Sequence, residues 1–249
     1  MDLGMKDKVA IVTGAGSQVG YGKRIALVLA GEGCHIVVVD RDLEGAEKTA
    51  AAVREVGRKA IAVKADVRNQ AELNQMVETA IKEMGHIDIL INNAGVAAAF
   101  KCFVDKTVEE CNFDFEVNMI GQMNVARAVL PHMISRKYGR IVNTTGGIGH
   151  EGSSTYGAAK SGIIAWTKSL ALEVAQHGII VNAIRPGLGK TGLGSSNAEG
   201  IDRAPYEMFE HLSRLKRLCT PEDVAYTVAF LASDRCSFML GEEIDLKTY

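Results

Sequence analysis

Paired cysteines are missing from this chain: Cys34, Cys102, Cys111, Cys219 and Cys236 are dispersed, odd in number and without a Cys-x-x-Cys pair. That pattern argues against a disulfide framework or a zinc site and fits free thiols in a reducing compartment. Proline is scarce, with four scattered residues, and no Ser- or Pro-rich tract or charge block reads as a linker. The 249 residues are therefore expected to form one domain over 1–249, large enough to bury a substantial core. Charge of one sign is also lacking. A formal net charge of −2 gives no electrostatic reason to expect nucleic acid, and no basic cluster favours anionic lipid. No uncharged apolar run approaches the length of a membrane span, and residues 1–8 carry charges where a signal peptide has its apolar core. The expectation is a cytoplasmic, enzyme-sized domain that takes a small-molecule substrate, with no nucleic-acid or membrane partner.

What is present is a regular alternation. Short β-branched runs at 9–13, 36–39, 60–63, 87–91, 140–143 and 179–184 are apolar without a two-residue period, as strands covered on both faces are. Amphipathic helices are predicted between them, for example over 42–56, 70–84, 118–136 and 154–176. Such alternation predicts an α/β fold: a Rossmann-type, doubly wound parallel sheet of about seven strands with helices on both faces. Ligands bind such sheets at the carboxyl ends of the strands. The stretch 188–220 breaks the alternation, is Gly- and Ser-rich at its start, and reads as a flap over the site.

The strand ends carry the chemistry. Tyr156-Gly-Ala-Ala-Lys160 puts a phenol and an ammonium one helical turn apart on one face. A free tyrosine has a pKa of about 10, and a neighbouring cation lowers it toward the range useful for acid/base work near pH 7. The first strand runs into Thr13-Gly14-Ala15-Gly16-Ser17-Gln18-Val19-Gly20-Tyr21-Gly22 and then a helix. Gly14, Gly20 and Gly22, with Ser17 in the turn, let the backbone approach a pyrophosphate at a helix N-terminus. Asp40 ends the second strand, where a carboxylate accepts hydrogen bonds from both ribose hydroxyls of NAD and repels the 2′-phosphate of NADP; its alternative is a helix cap. Arg41 beside it is the one feature that suits a 2′-phosphate. Asp66, with Val67 beside it, follows the third strand and either meets the adenine amino group or caps the next helix. Asn92-Asn93-Ala94-Gly95 ends the fourth, with small residues at Ala94 and Gly95 and amides able to tie neighbouring loops.

With these residues in order, the chain resembles the short-chain dehydrogenase/reductase family over almost its whole length. The matching elements are the Thr13-Gly14 turn, Asp66, Asn92-Asn93-Ala94-Gly95, Asn118, Tyr156-x-x-x-Lys160 and Asn182-Ala183-Ile184-Arg185-Pro186-Gly187. The resemblance implies an NAD cofactor and hydride transfer between the nicotinamide and a secondary alcohol or ketone. It also implies Tyr156 as acid/base, with Lys160 on the nicotinamide ribose. Asn118 would support a relay water, and Pro186, Gly187 and Thr191 would face the carboxamide. A homotetramer is implied, or a heteromer with a paralogue.

Three departures stand out. The glycine motif carries about two extra residues between Gly14 and Gly20. Gly146 occupies the place of the family's catalytic serine; Thr144, Thr145, Ser153 and Ser154 are the candidate replacements, Thr145 first, while Ser154 and Thr155 also suit a helix cap. The chain ends Gly241-Glu242-Glu243-Ile244-Asp245-Leu246-Lys247-Thr248-Tyr249 where the family has a strand followed by Asp-Gly-Gly. The substrate wall is expected at 97–103, 146–152 and the flap; Ala97, Ala98, Ala99 and Phe100 suit a hydrophobic ring or acyl chain. Lys101, His150, Lys190 and Arg203 are either solvated loop residues or contacts for a carboxylate or phosphate. The favoured substrate is a hydroxyacyl thioester or cyclic alcohol. The rival reading is a weak or inactive relative that serves as structural subunit beside an active paralogue.

Overall fold

A computed structural model describes residues 2–147, 151–189 and 210–246. Seven strands form one all-parallel sheet in the order β3-β2-β1-β4-β5-β6-β7. They are β1 (Val9–Thr13), β2 (His35–Asp40), β3 (Ala60–Lys64), β4 (Ile89–Asn92), β5 (Gly139–Thr144), β6 (Ile179–Arg185) and β7 (Glu243–Asp245). The helices are α1 (Tyr21–Gly31), α2 (Leu43–Glu55), α3 (Gln70–Met84), α4 (Val108–Phe115), α5 (Gly121–Arg136), α6 (Ser154–Val174) and α7 (Pro221–Leu231). The expected α/β architecture is the observed one.

The non-alternating strands are explained by two cores. Ala10, Val12, Ile36, Val38 and Val142 pack with Ile25 and Leu29 of α1, Val53 of α2 and Val228 of α7 on one face. Val9, Ile11, Val37, Leu90 and Ile141 pack with Leu73 of α3, Val129 of α5 and Leu170 of α6 on the other. Each fully buried Val, Ile or Leu contributes about 1.5–3 kcal/mol, so a strand apolar on both faces is strongly held in register. The strand order reverses between β1 and β4, which opens a crevice at their carboxyl ends.

Helix ends follow local chemistry. Asn69 caps α3 by accepting from the Ala71 and Glu72 N–H groups, and reciprocal capping boxes start α4 (Thr107 with Glu110) and α7 (Thr220 with Asp223). No side chain caps α1, and its first turn holds no acidic residue. Its N-terminal amides and positive dipole end thus face the crevice. The helix predicted from 118 begins as a π-helical turn, Glu116–Ile120, that joins α4 to α5. Among the described residues no helix is long and apolar enough to cross a membrane. Most of the expected 188–220 flap, with Lys190, Thr191 and Arg203, lies outside the described residues, as does His150.

Candidate active site

The glycine turn is laced to the end of β4. Asn93 Nδ2 donates to the Thr13 and Gly14 carbonyls at 2.9 and 3.1 Å, and the Thr13 hydroxyl accepts from the Asn93 and Ala94 N–H groups at 3.1 Å each. Gly14 sits at φ +65°, and a Cβ there would lie 2.7 Å from the Ala94 Cα. Gly22, in the first turn of α1, is as close-packed: its Cβ would lie 2.4 Å from the Gly14 carbonyl oxygen. Gly20 precedes the helix, with Ser17 against it. These positions form a cradle that any side chain would fill, as backbone approach to a pyrophosphate requires.

The longer turn is docked rather than loose. Gln18 Nε2 donates to the Gly16 and Gly45 carbonyls at 2.8 and 3.1 Å, and the buried Thr49 hydroxyl of α2 donates to Ala15 O at 2.7 Å. Neither Gln18 nor Thr49 was singled out from the sequence; a buried threonine on the apolar face of α2 was the available signal. Asp40 accepts the Gly16 N–H at 2.8 Å on Oδ2 and the Asp42 N–H at 3.0 Å on Oδ1. Each oxygen accepts one of these bonds and has a further lone pair able to accept. Arg41 is exposed. Asp66 is clamped by the Arg68 guanidinium, closest contact 2.6 Å, which holds its carboxyl below the usual range, with Arg41 adding a smaller push. The cap of α3 is Asn69, so the capping alternative for Asp66 falls. Val67 is buried against Gly121 of α5. At the far side of the crevice the Tyr21 hydroxyl donates to Gly187 O at 3.0 Å, and Gly187, beside Pro186, packs against Cys219.

Gly95 joins the two halves of the site: a Cβ there would lie 3.2 Å from Lys160 Nζ and 3.0 Å from Asn118 Oδ1. Lys160 is fully buried, donates to Thr144 O at 3.0 Å, and lies 5.8 Å from the centre of the Tyr156 ring. Loss of water pushes its pKa down from 10.5 to about 7. Tyr156 departs from expectation. Burial, and then the Asp114 charge, raise the phenol above its usual 10. In this site desolvation outweighs the neighbouring ammonium, which itself holds its proton weakly near neutrality. A further positive charge, such as an oxidised nicotinamide carries, is what the phenol lacks.

Asn118 lies in the π-helical turn with its amide fully engaged by backbone. Its Nδ2 donates to Val96 O at 2.7 Å and Asp114 O at 2.8 Å, and its Oδ1 accepts the Val96 N–H at 3.1 Å. The side chain therefore ties the helix bend to the loop after β4 and leaves no amide hydrogen for a relay water. Thr145 also requires a correction. Its hydroxyl is buried against Glu243 of β7 and Ile184 O, so its one proton is engaged there. The altered C-terminus explains this orientation: Glu243 and Asp245, both paired with Arg185, bring a carboxylate under the end of β5. Of the other candidates, the Ser153 hydroxyl donates to the Gly147 carbonyl at 3.5 Å, and Ser154 is exposed. The Thr144 hydroxyl is buried and has no partner among the described residues.

At Gly146 itself, apart from chain neighbours, a Cβ would have only the Tyr156 hydroxyl within 4 Å among the described residues, at 3.8 Å. The position thus lies beside the phenol oxygen. Gly147 lies flat on the same ring, where a Cβ would be 2.2 Å from Tyr156 Cε1. Lys101 is paired with Glu110 at 2.8 Å and so is not an isolated cation at the substrate wall.

Together these residues place a phenol, a buried ammonium behind it and a glycine-lined crevice at the switch point of one sheet. The arrangement can move a proton at an oxygen beside a bound nucleotide. The family model described as enoyl-(acyl carrier protein) reductase matches residues 14–246. Oxidoreductase UcpA of Salmonella typhimurium is 40% identical over 245 residues, covering 95% of this chain and 91% of that protein. The BbsD subunit of (2S)-[(R)-hydroxy(phenyl)methyl]succinyl-CoA dehydrogenase of Thauera aromatica is 34% identical over 247 residues, covering 96% and 95%. The structure of 3-ketoacyl-(acyl-carrier-protein) reductase from Brucella melitensis complexed with NADH superimposes with a TM-score of 0.89 at 32% identity, covering 98% of each chain. On sequence motifs, sheet order and these matches, the chain belongs to the short-chain dehydrogenase/reductase family.

Proposed function

We propose that this chain is an NAD-dependent dehydrogenase/reductase that interconverts a secondary alcohol and a ketone on a hydrophobic hydroxyacyl thioester, with cyclic alcohols as the next class. The observation that carries the reading is the Tyr156 hydroxyl facing the Gly146 gap, with Lys160 buried one turn behind it and Gly95 closing over the ammonium. Bound NAD supplies the acceptor for a hydride, and Asp40 favours it over NADP by repelling a 2′-phosphate. Tyr156 takes the proton from the substrate oxygen in oxidation and returns it in reduction. Lys160 holds positive charge behind the phenol and a hydrogen-bond donor toward the nucleotide ribose. Asn118 keeps the bend that carries both walls. The name of the Thauera relative, a dehydrogenase of a hydroxyacyl-CoA, supports the thioester class.

A second reading follows from the same corner of the site. Thr145 is held by Glu243 and Gly146 has no side chain, so neither of these two residues supplies a hydroxyl at the serine position. One missing donor to a developing oxyanion costs ~10²–10³ in rate. A chain this weakened would serve as structural subunit beside an active paralogue, and the Thauera protein is itself named a subunit. Exposed Leu172, Tyr226, Phe230 and Phe238 support an assembly, which we take as a homotetramer on the first reading and a heteromer on the second. Five free cysteines suit the cytoplasm.

Calorimetric titration with NAD and NADP, followed by turnover on hydroxyacyl-CoAs and cyclic alcohols, tests the first reading. Failure of both nucleotides to bind at millimolar levels refutes it. Native mass measurement that finds a co-purifying second chain, together with absent turnover, favours the second.

A further inference from the structure

A lysine and an aspartate lie together out of water beside the Tyr156 helix. The Lys106 ammonium donates to Asp114 Oδ2 at 3.0 Å and to the Thr155 hydroxyl at 2.8 Å, and that hydroxyl donates to the same Asp114 oxygen at 2.6 Å. Both charged side chains are completely buried. Asp114 Oδ1 accepts the Ala98 N–H at 2.9 Å, and the Asp114 carbonyl accepts the Asn118 amide at 2.8 Å. Withdrawing two ions from water costs several kcal/mol for each, a cost that apolar residues of equal volume avoid. As packing alone, the pair is a poor solution.

Its location gives it another use. It holds the loop after β4 through Ala98, α4 and the π-helical turn through Asp114, and the first turn of α6 through Thr155, the residue before Tyr156. Among the described residues, the charged groups facing Tyr156 are Lys160 on its own helix, Asp114 on α4 and, behind Asp114, Lys106. An aspartate left alone there would oppose ionisation of the phenol.

We propose that Lys106 and Asp114 are positioning residues for Tyr156, fixing the start of α6 against the substrate loop, with the Lys106 charge opposing the field that Asp114 places on the phenol. The inference rests on Tyr156 being the acid/base of the reaction above. Asp114→Asn keeps the shape of the side chain and an acceptor for the Ala98 N–H while removing the charge. Lys106→Met does the opposite, leaving the carboxylate unpaired. The double variant leaves no charge at all.

Ionisation of Tyr156 is read in the NAD-free protein from ¹³C-labelled tyrosine ζ-carbons titrated to pH 11, with Tyr156→Phe identifying the resonance. The expected order of apparent pKa is Asp114→Asn lowest, the double variant next and Lys106→Met highest. A separation of about 1 pH unit or more between the extremes is expected. If Lys106→Met does not fold, the comparison of Asp114→Asn with the double variant decides. Coincident titrations of the folded variants, or no ionisation of Asp114→Asn below pH 11, overturn the proposal. Turnover is measured in parallel to separate the two claims. The expected order without any turnover refutes the acid/base reading and leaves the coupling standing; turnover without the order does the reverse.

Discussion

Replacing Lys160 by methionine should make the protein more stable at neutral pH, because the site holds an ionisable group that folding deprives of water. The pKa of Lys160 falls from 10.5 to about 7 on burial. At about 1.4 kcal/mol per pH unit, a fall of that size corresponds to about 5 kcal/mol against the folded state. The sign follows from linkage. Between pH 7 and 10.5 the unfolded chain binds a proton that the folded chain has released, so stability rises with pH across this window. The penalty is complete below pH 7 and gone above 10.5. Methionine forfeits the hydrogen bond to Thr144 O, a loss of about 1 kcal/mol. That carbonyl still accepts from Gln122 Nε2 at 2.9 Å, so no buried acceptor is orphaned. The net gain is about 4 kcal/mol, or about 10 °C in Tm for a domain of this size. Thermal unfolding of both proteins, followed by circular dichroism at pH 6.5 and pH 9.5, measures it. The gap should be large at pH 6.5 and markedly smaller at pH 9.5. A Lys160→Met protein no more stable than the parent at pH 6.5, or a gap unchanged at pH 9.5, refutes the reasoning.

Other outcomes follow from the same geometry. Gly146→Ser places a hydroxyl beside the Tyr156 oxygen and should raise kcat/KM about tenfold or more, the ~10²–10³ of one oxyanion donor less the strain at φ +137°; steady-state kinetics on an active hydroxyacyl-CoA check it, and an unchanged or lower value counts against the missing donor. Thr145→Val should lower Tm by a few degrees through the lost Glu243 contact yet leave turnover within about threefold, whereas a loss of ~10²-fold would return Thr145 to the reaction. Gln18→Ala unties the turn from Gly16 and Gly45 and should weaken NAD binding about tenfold by calorimetry with little change in Tm; equal affinity would mean the turn is held without it.

The architecture was legible because β1, β2 and β4 are apolar on both faces, and only a sheet covered twice requires that. The pair Tyr156 and Lys160 was legible because spacing on one helix fixes proximity. What stayed hidden depends on contacts between distant residues. Thr145 is drawn to Glu243 from 98 positions away, and the Lys106–Asp114–Thr155 cluster joins a loop, α4 and α6. The role of Asn118 as the amide that ties the π-helical turn to Val96 was not legible, because helix period does not reveal a one-residue change of winding. The raised phenol was hidden too, since four-residue spacing announces the ammonium while only the packed structure shows how completely both groups lose water.

The central claim is that Tyr156 moves the proton at the substrate oxygen. The direct measurement is kcat/KM and NAD affinity for Tyr156→Phe beside the parent, on the hydroxyacyl-CoA that the parent turns over. The account predicts a loss of about 10³-fold or more in kcat/KM with NAD affinity unchanged within about twofold, since Phe keeps the ring against Gly147 and removes only the proton. A Tyr156→Phe protein that retains the parent rate would contradict it.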